Sequence, residues 1–93
     1  MSKREAAEVL ALDALGWMVA DETLLPQFLD ASGMSADDLR DRAGEPDMLL
    51  AVLDFLMGDD TRIMGFSTAT GRLPAATVEA LNLLSGGADR HWT

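Results

Sequence analysis

Residues 46–60 read PDMLLAVLDFLMGDD, and this stretch decides the fold. Nine of the ten residues from Met48 to Met57 are apolar, and Asp54 is the single acid among them. A proline followed by an apolar run of this length predicts a helix over 47–57, with Pro46 in its first turn. A helix that is apolar nearly all round must be buried on most sides. The stretch therefore predicts a bundle in which other helices cover this one.

Start and stop signals divide the rest of the chain into five further helices. Ser2 with Glu5, and Ser35 with Asp38, have the spacing of a capping box. Glycines suit the left-handed position that ends a helix. We predict helices over 3–19, from 21–23 to Gly33, over 35–43, over 47–57, from 59–61 to Gly71, and over 74–84. No stretch alternates with period two, so no strands are expected. The predicted class is all-α, a compact bundle of six helices.

The apolar residues of these helices supply the expected core. In the first helix we expect Glu5, Glu8 and Asp13 outside, and we expect the large apolar residues mostly inside: Val9, Leu10, Leu12, Leu15, Trp17 and Met18. Five methionines are also assigned to the core as gap-filling side chains: Met18, Met34, Met48, Met57 and Met64. The alternative for the methionines is an adaptable groove that binds a partner helix.

An internal repeat relates the two halves of the chain. A shift of 38 residues aligns 11–33 with 49–71, and seven of the 23 aligned positions are identical: Leu12/Leu50, Leu15/Leu53, Asp21/Asp59, Thr23/Thr61, Phe28/Phe66, Ala31/Ala69 and Gly33/Gly71. A period in this range indicates a repeated supersecondary unit. We predict two three-helix halves, about 5–43 and 44–84, that superpose by a pseudo-two-fold with Gly33 near Gly71.

Length and charge exclude several classes of protein. The chain has 93 residues, no cysteine and a net charge of −9, so neither a disulfide framework nor a cysteine nucleophile is possible. Residues 21–60 hold eleven acidic and two basic residues, a difference equal to the net charge of the whole chain. Affinity for nucleic acid comes mainly from Lys and Arg on phosphates, so direct binding of DNA or RNA is disfavoured. We interpret these acids as solvated helix faces and helix starts; the alternative is an acidic face that attracts a basic partner.

One domain accounts for the whole length. We expect a single helical domain over 1–87, because 93 residues leave no room for a second core. Residues 88–93 show no periodicity and are expected to form a flexible C-terminal tail unless Trp92 docks. No apolar run reaches the roughly 20 residues that a membrane span requires. We expect a cytoplasmic protein without a membrane segment.

Several strings also resemble a known family. They are Leu15-Gly16-Trp17, Asp21-Glu22 with Leu24-Leu25-Pro26 and Phe28-Leu29, Ser32-Gly33-Met34 with Asp38-Leu39-Arg40, and the downstream run 51–56. Over about 5–84 the chain resembles the domain-of-unknown-function 3572 family of small bacterial proteins. The resemblance implies a small helical bacterial protein, and it carries no catalytic residues over to this chain. Around Arg72 and Leu73 the chain departs from the family pattern.

Clusters of acidic residues are the main candidate site. Asp37, Asp38 and Asp41 on the predicted third helix form a candidate partner-binding acidic face. None of the acidic pairs has the alternating ligand order of a calcium loop, and most acids stand where helix starts favour negative charge. We therefore predict no metal, no cofactor and no catalytic residues.

Single acids and one short motif are weaker candidates for chemistry. Asp13 and Asp54 lie alone on apolar helices, where a buried carboxylate can act as an acid or base, but such a residue more often finds an arginine or the polar stripe of its helix. The stretch 65–69, GFSTA, lacks the last glycine of a nucleophile elbow and falls inside a predicted helix. We interpret it as ordinary helix.

Three classes of function are compared. The leading prediction is a non-enzymatic helical module that acts by protein–protein contact and can pair with a second copy. The alternative is a transcription-associated relative of helix-turn-helix proteins, because Gly33 and Gly71 each stand between two predicted helices. Against it, residues 36–43 hold three acids and two bases. A small enzyme is the third class: a large pocket lined by Asp13 or Asp54 would favour it, whereas a continuous exposed apolar groove would favour the binding module.

Overall fold

The computed structural model describes residues 2–86, and in this range it contains six α-helices and no strands. The helices are α1 (Lys3–Val19), α2 (Leu24–Ser32), α3 (Ala36–Asp41), α4 (Pro46–Met57), α5 (Asp60–Thr70) and α6 (Pro74–Leu84). The predicted all-α class and the number of helices are confirmed. The third helix is shorter than expected, because its last turn closes at Arg42, before Gly44. The expected tail, 88–93, lies outside the described residues.

Both predicted capping boxes are present. The Glu5 amide donates to Ser2 Oγ at 3.1 Å, and the Ser2 amide donates to Glu5 Oε1 at 2.9 Å. Ser35 and Asp38 exchange the same two bonds at the start of α3. These bonds satisfy amides that have no partner within the helix. The bonds from Ser2 hold the pKa of the Glu5 carboxyl below its ordinary value.

The corner between the first two helices of each half is built twice in the same way. Asp21 Oδ1 accepts from the Thr23 amide at 2.8 Å, and Asp59 Oδ1 accepts from the Thr61 amide at 2.8 Å. Each second helix then ends at a glycine in the left-handed region, Gly33 and Gly71, with φ of 74° and 78°. The two corners therefore share the Asp–Thr bond and the glycine stop, although α5 begins directly after Asp59 whereas α2 begins only after Thr23.

Two aromatic contacts follow the same 38-residue shift. Phe28 of α2 meets Phe55 of α4 edge to face, with ring centroids 5.4 Å apart. Phe66 of α5 meets Trp17 of α1 at 5.7 Å. In the 38-residue alignment, position 28 corresponds to 66 and position 17 corresponds to 55. The phenylalanine of α2 therefore contacts α4, and the phenylalanine at the equivalent position of α5 contacts α1. Both phenylalanines are fully buried.

The third helices of the two halves differ. The helix α6 packs along both α1 and α4 and completes the core, whereas the six-residue α3 makes no extensive contact with any other helix. The helices α1 and α6 run antiparallel, because Arg4 donates to the Leu83 carbonyl at one end and Arg72 donates to Asp13 at the other. Superposition of the halves by a pseudo-two-fold stays a prediction.

The core confirms most, but not all, of the predicted inward positions. In α4, Leu53 is fully buried, as are Val52 and Leu56. In α1, Leu10, Leu15 and Met18 are buried, and Trp17 is half-buried against the core. The prediction was wrong for Val9 and Leu12, which are 40% and 46% exposed, and for Met64, which is 55% exposed. Small residues of α1 take their place inside: Ala7, Ala11 and Ala14.

Candidate functional site

Among residues 2–86, one face of α4 is left uncovered between α2 and α6. Its residues follow the i, i+3, i+4, i+7 spacing of a helical stripe: Asp47, Leu50, Ala51 and Asp54. Both carboxylates are exposed, and the two apolar side chains between them are half-buried. Most of the other residues of α4 face the core. The stripe that holds Asp47 and Asp54 is therefore the side of α4 that forms the surface of a groove.

Two depressions meet on this stripe. The larger is an open groove of about 540 Å³ between α4 and α6; Leu81 and Asn82 of α6 line it, together with Ser85, which follows that helix. The smaller, of about 160 Å³, lies between α4 and α2 and is lined by Phe28, Ala31 and Ser32. Ala51 and Asp54 line both. We call the continuous surface the α4 groove.

The α4 groove combines an apolar floor with an acidic rim. Leu50, Ala51 and Leu81 form most of the floor. Within residues 2–86, neither Asp47 nor Asp54 forms an ion pair, although Asp13, Asp37, Glu8 and Glu45 each do. Asp47 is close enough to Arg42 to help raise the pKa of that guanidinium, behind the larger effect of Glu45. The two groove carboxylates thus carry negative charge on an apolar surface.

The predicted acidic face on α3 is exposed but partly occupied by its own contacts. Asp38 caps α3, and Asp37 accepts from Arg40 at 3.1 Å across the surface of the same helix. Asp41 is exposed at the last position of α3. The three carboxylates therefore share one short helix, and two of them have local structural partners.

The weaker candidates do not come together as a site. Asp13 and Asp54 are both exposed, and Asp13 pairs with Arg72, so the predicted arginine partner is confirmed for Asp13. The stretch 65–69 lies inside α5, as interpreted. In the described part of the chain, no group of three or more acidic or histidine side chains is arranged to hold a metal ion. His91 lies outside that part.

A second exposed surface runs along the outer side of α1. Val9, Leu12 and Val19 are each at least 40% exposed, and Gly16 lies between them. A methyl group added at Gly16 would meet nothing within 4 Å. We call these four residues the α1 seam. It was missed from the sequence because α1 is apolar on nearly every side, so the pattern does not show which side faces the core.

The α4 groove had a partial signal in the sequence. Asp54 stood out as the single acid in an apolar run, and Asp47 precedes it by two helical turns. The neighbours that turn this stripe into a groove, such as Phe28 and Leu81, come from other helices. Their placement depends on packing between distant parts of the chain.

Comparisons with known proteins add a family and nothing more specific. No described helix has the length and apolar character needed to cross a membrane. No curated protein and no solved structure matches the chain. A family model described as "Protein of unknown function (DUF3572)" matches residues 4–87, which include α2 to α6 and all of α1 except its first residue. The chain therefore belongs to the DUF3572 family of proteins of unknown function.

Proposed function

We propose that this protein acts by binding, and that the α4 groove takes a cationic amphipathic segment of a partner protein. The observation that carries the proposal is the pair Asp47 and Asp54, which flank Leu50 and Ala51 without an ion pair among residues 2–86. A partner with apolar side chains on the floor and Lys or Arg at the rim would satisfy both features.

The spacing of the carboxylates suggests the form of the partner. Residues seven apart on a helix are separated by about 10.5 Å along its axis. A helix that lies along α4 with basic residues at the same spacing can pair with Asp47 and Asp54 together. Its apolar residues between those bases would then contact Leu50 and Leu81. The net charge of −9 accelerates the encounter with such a cation.

The α3 acids are the less favourable surface for the same role. The Asp38 carboxylate already accepts from the Ser35 amide at the start of α3, and Asp37 is paired with Arg40. Binding a partner there would compete with contacts that the chain makes itself. The α4 groove offers apolar area as well as charge, and apolar area supplies most of the affinity of protein contacts.

The transcription-associated alternative remains a prediction with a separate test. In the described structure, the helix after Gly33 has six residues, and Asp37, Asp38 and Asp41 are all exposed on it. A recognition helix needs donors for bases and phosphates. The acidic surface therefore favours a protein partner. We also propose a cytoplasmic setting, for which the absence of cysteine is the only support.

A designed probe tests the groove directly. The probe is a fluorescent amphipathic peptide of Lys and Leu with lysines seven residues apart, and its control is a scrambled peptide of equal composition. We expect the probe to bind in fluorescence anisotropy, to weaken with salt, and to lose at least about tenfold in affinity with Asp47→Lys/Asp54→Lys. The matched control variant, Asp37→Lys/Asp41→Lys, makes the same change in charge elsewhere.

The two variants give distinct answers. Loss of binding in the groove variant alone supports the proposal. Equal loss of probe binding in both variants would show that the interaction depends only on net charge. Loss of binding in the control variant alone would show that the interface lies on α3. Capture of native partners from lysate by the original chain, with the same two variants in parallel, extends the test to a physiological partner.

A further inference from the structure

We propose that two copies of this chain associate through the α1 seam, with their α1 helices antiparallel. This proposal is independent of the α4 groove, because none of the seam residues lines it. The seam consists of Val9, Leu12, Gly16 and Val19, all on the side of α1 opposite the core.

The spacing of the seam is that of a helix–helix contact. Positions 9, 12, 16 and 19 alternate in steps of three and four, which is the a and d spacing of two heptads. An ordinary surface helix carries polar residues on this side. Here the seam has no charged member, and all three of its side chains, those of Val9, Leu12 and Val19, are branched and apolar. Such a stripe fits another helix with the same pattern.

The charges beside the seam suit a second copy. Glu8 and Asp13 flank it, and each is paired within the chain, Glu8 with Arg4 and Asp13 with Arg72. The seam surface is therefore close to neutral, although residues 21–60 carry the full excess of negative charge. A basic partner gains nothing here, whereas a second copy of an acidic protein can approach without repulsion only through a neutral face.

The antiparallel direction follows from shape. In an antiparallel pair, a positions face d positions, so Leu12 of one copy lies over Gly16 of the other. Gly16 has the open space that receives a leucine. In a parallel pair, Gly16 would face Gly16 of the other copy, and no side chain would fill the space between them.

The size of the seam sets the expected affinity. Its ends, Val9 and Val19, are ten residues apart, or about 15 Å along the helix axis. That length buries less surface than a permanent dimer requires, so the association is expected to be reversible and dependent on concentration. Sedimentation equilibrium from about 10 µM to about 1 mM should show the mass rising from 10.0 kDa toward twice that value.

A substitution at the seam tests which surface is responsible. Leu12→Gln should weaken the dimer at least about tenfold, because it removes a leucine that the pair buries. Val78→Gln is the control, because Val78 is comparably exposed, at 39%, and lies on α6. Both positions are exposed, so both variants should keep the helical circular dichroism of the original chain. Equal weakening by the two variants, or a monomer at 1 mM, would overturn the proposal.

Cross-linking tests the direction of the pair. The chain has no cysteine, so introduced thiols are the only ones present. With an added mild oxidant such as diamide, a mixture of the Leu12→Cys and Gly16→Cys variants should form a disulfide-linked heterodimer faster than Leu12→Cys alone forms a disulfide-linked homodimer. Faster linkage of Leu12→Cys with itself would contradict the antiparallel register.

Discussion

Arg62 covers the end of α4 by contacting Phe55 in two ways. Its guanidinium carbon lies 3.8 Å from the centre of the Phe55 ring, and its Nη1 donates to the Phe55 carbonyl at 2.9 Å. Carbonyls in the last turn of a helix have no partner within the helix, and positive charge is favourable there. One side chain therefore ties the start of α5 to the end of the most buried helix.

Removing Arg62 should destabilise the domain. We expect Arg62→Ala to lower the free energy of unfolding by about 1–3 kcal/mol, because it removes a charged hydrogen bond and a cation–π contact. Arg62→Lys should recover only part of this loss, since an ammonium lacks the planar fork of the guanidinium. Urea denaturation followed by circular dichroism measures both variants. Full recovery with lysine would show that charge alone matters.

Leu53 should be among the most sensitive positions of the core. It is fully buried in α4, and Leu53→Ala leaves a cavity there. We expect a loss of about 2–5 kcal/mol in the free energy of unfolding. A loss under about 1 kcal/mol would contradict the central position of α4. Leu50→Ala is a useful comparison. Leu50 is half-buried at the groove, so this substitution should lower the free energy of unfolding by less than Leu53→Ala does.

Two helical glycines should respond differently to the same substitution. Gly16→Ala should stabilise the domain by about 1 kcal/mol, because alanine favours helix and its methyl group meets nothing within 4 Å. At Gly65 the added methyl would lie 3.2 Å from Trp17 Cζ2, so the indole must move and the gain is lost. Thermal unfolding at about 10 µM, where the seam dimer is not favoured, compares the two. Equal gains in stability at the two positions would show that the Trp17 indole can move aside without an energetic cost.

A buried hydroxyl on α6 costs stability. Thr77 is fully buried, and its Oγ1 has no hydrogen-bond partner in the described structure. Thr77→Val keeps the branched shape and removes the unsatisfied group, so we expect a gain of about 1 kcal/mol or more. Ala80→Val, at a buried position without a polar group, is the control and should not stabilise. A loss with Thr77→Val would indicate that the hydroxyl has a partner in solution.

Binding of duplex DNA separates the two functional classes. We expect no detectable binding even at low ionic strength, where any cationic face would be most effective. Electrophoretic mobility shift or anisotropy with a mixed-sequence duplex makes the measurement. A complex that weakens steeply with salt would favour the transcription-associated alternative over the binding module.

The helix ends could be predicted from the sequence where they are fixed by interactions between residues that are close in the chain. Ser2 with Glu5, Asp59 with Thr61, and Gly71 each fix a helix end through bonds within a few residues, so those ends could be predicted. Val9 and Leu12 could not be placed, because an all-round apolar helix has no preferred side until its neighbours are known. The α4 groove was hidden for a related reason: Leu81 approaches Asp54 only through the packing of α6 on α4.

The antiparallel packing of α1 on α6 sets when this domain can fold. Arg4 and Leu83 are 79 positions apart in sequence, yet the side chain of one bonds to the carbonyl of the other. During synthesis the alanine-lined face of α1 stays uncovered on the α6 side until residue 84 has been made. Closing so long a loop slows folding, and a half ending before α6 lacks the helix that completes the core. We therefore expect the domain to fold as one cooperative unit, and we expect neither of the two predicted halves to fold independently.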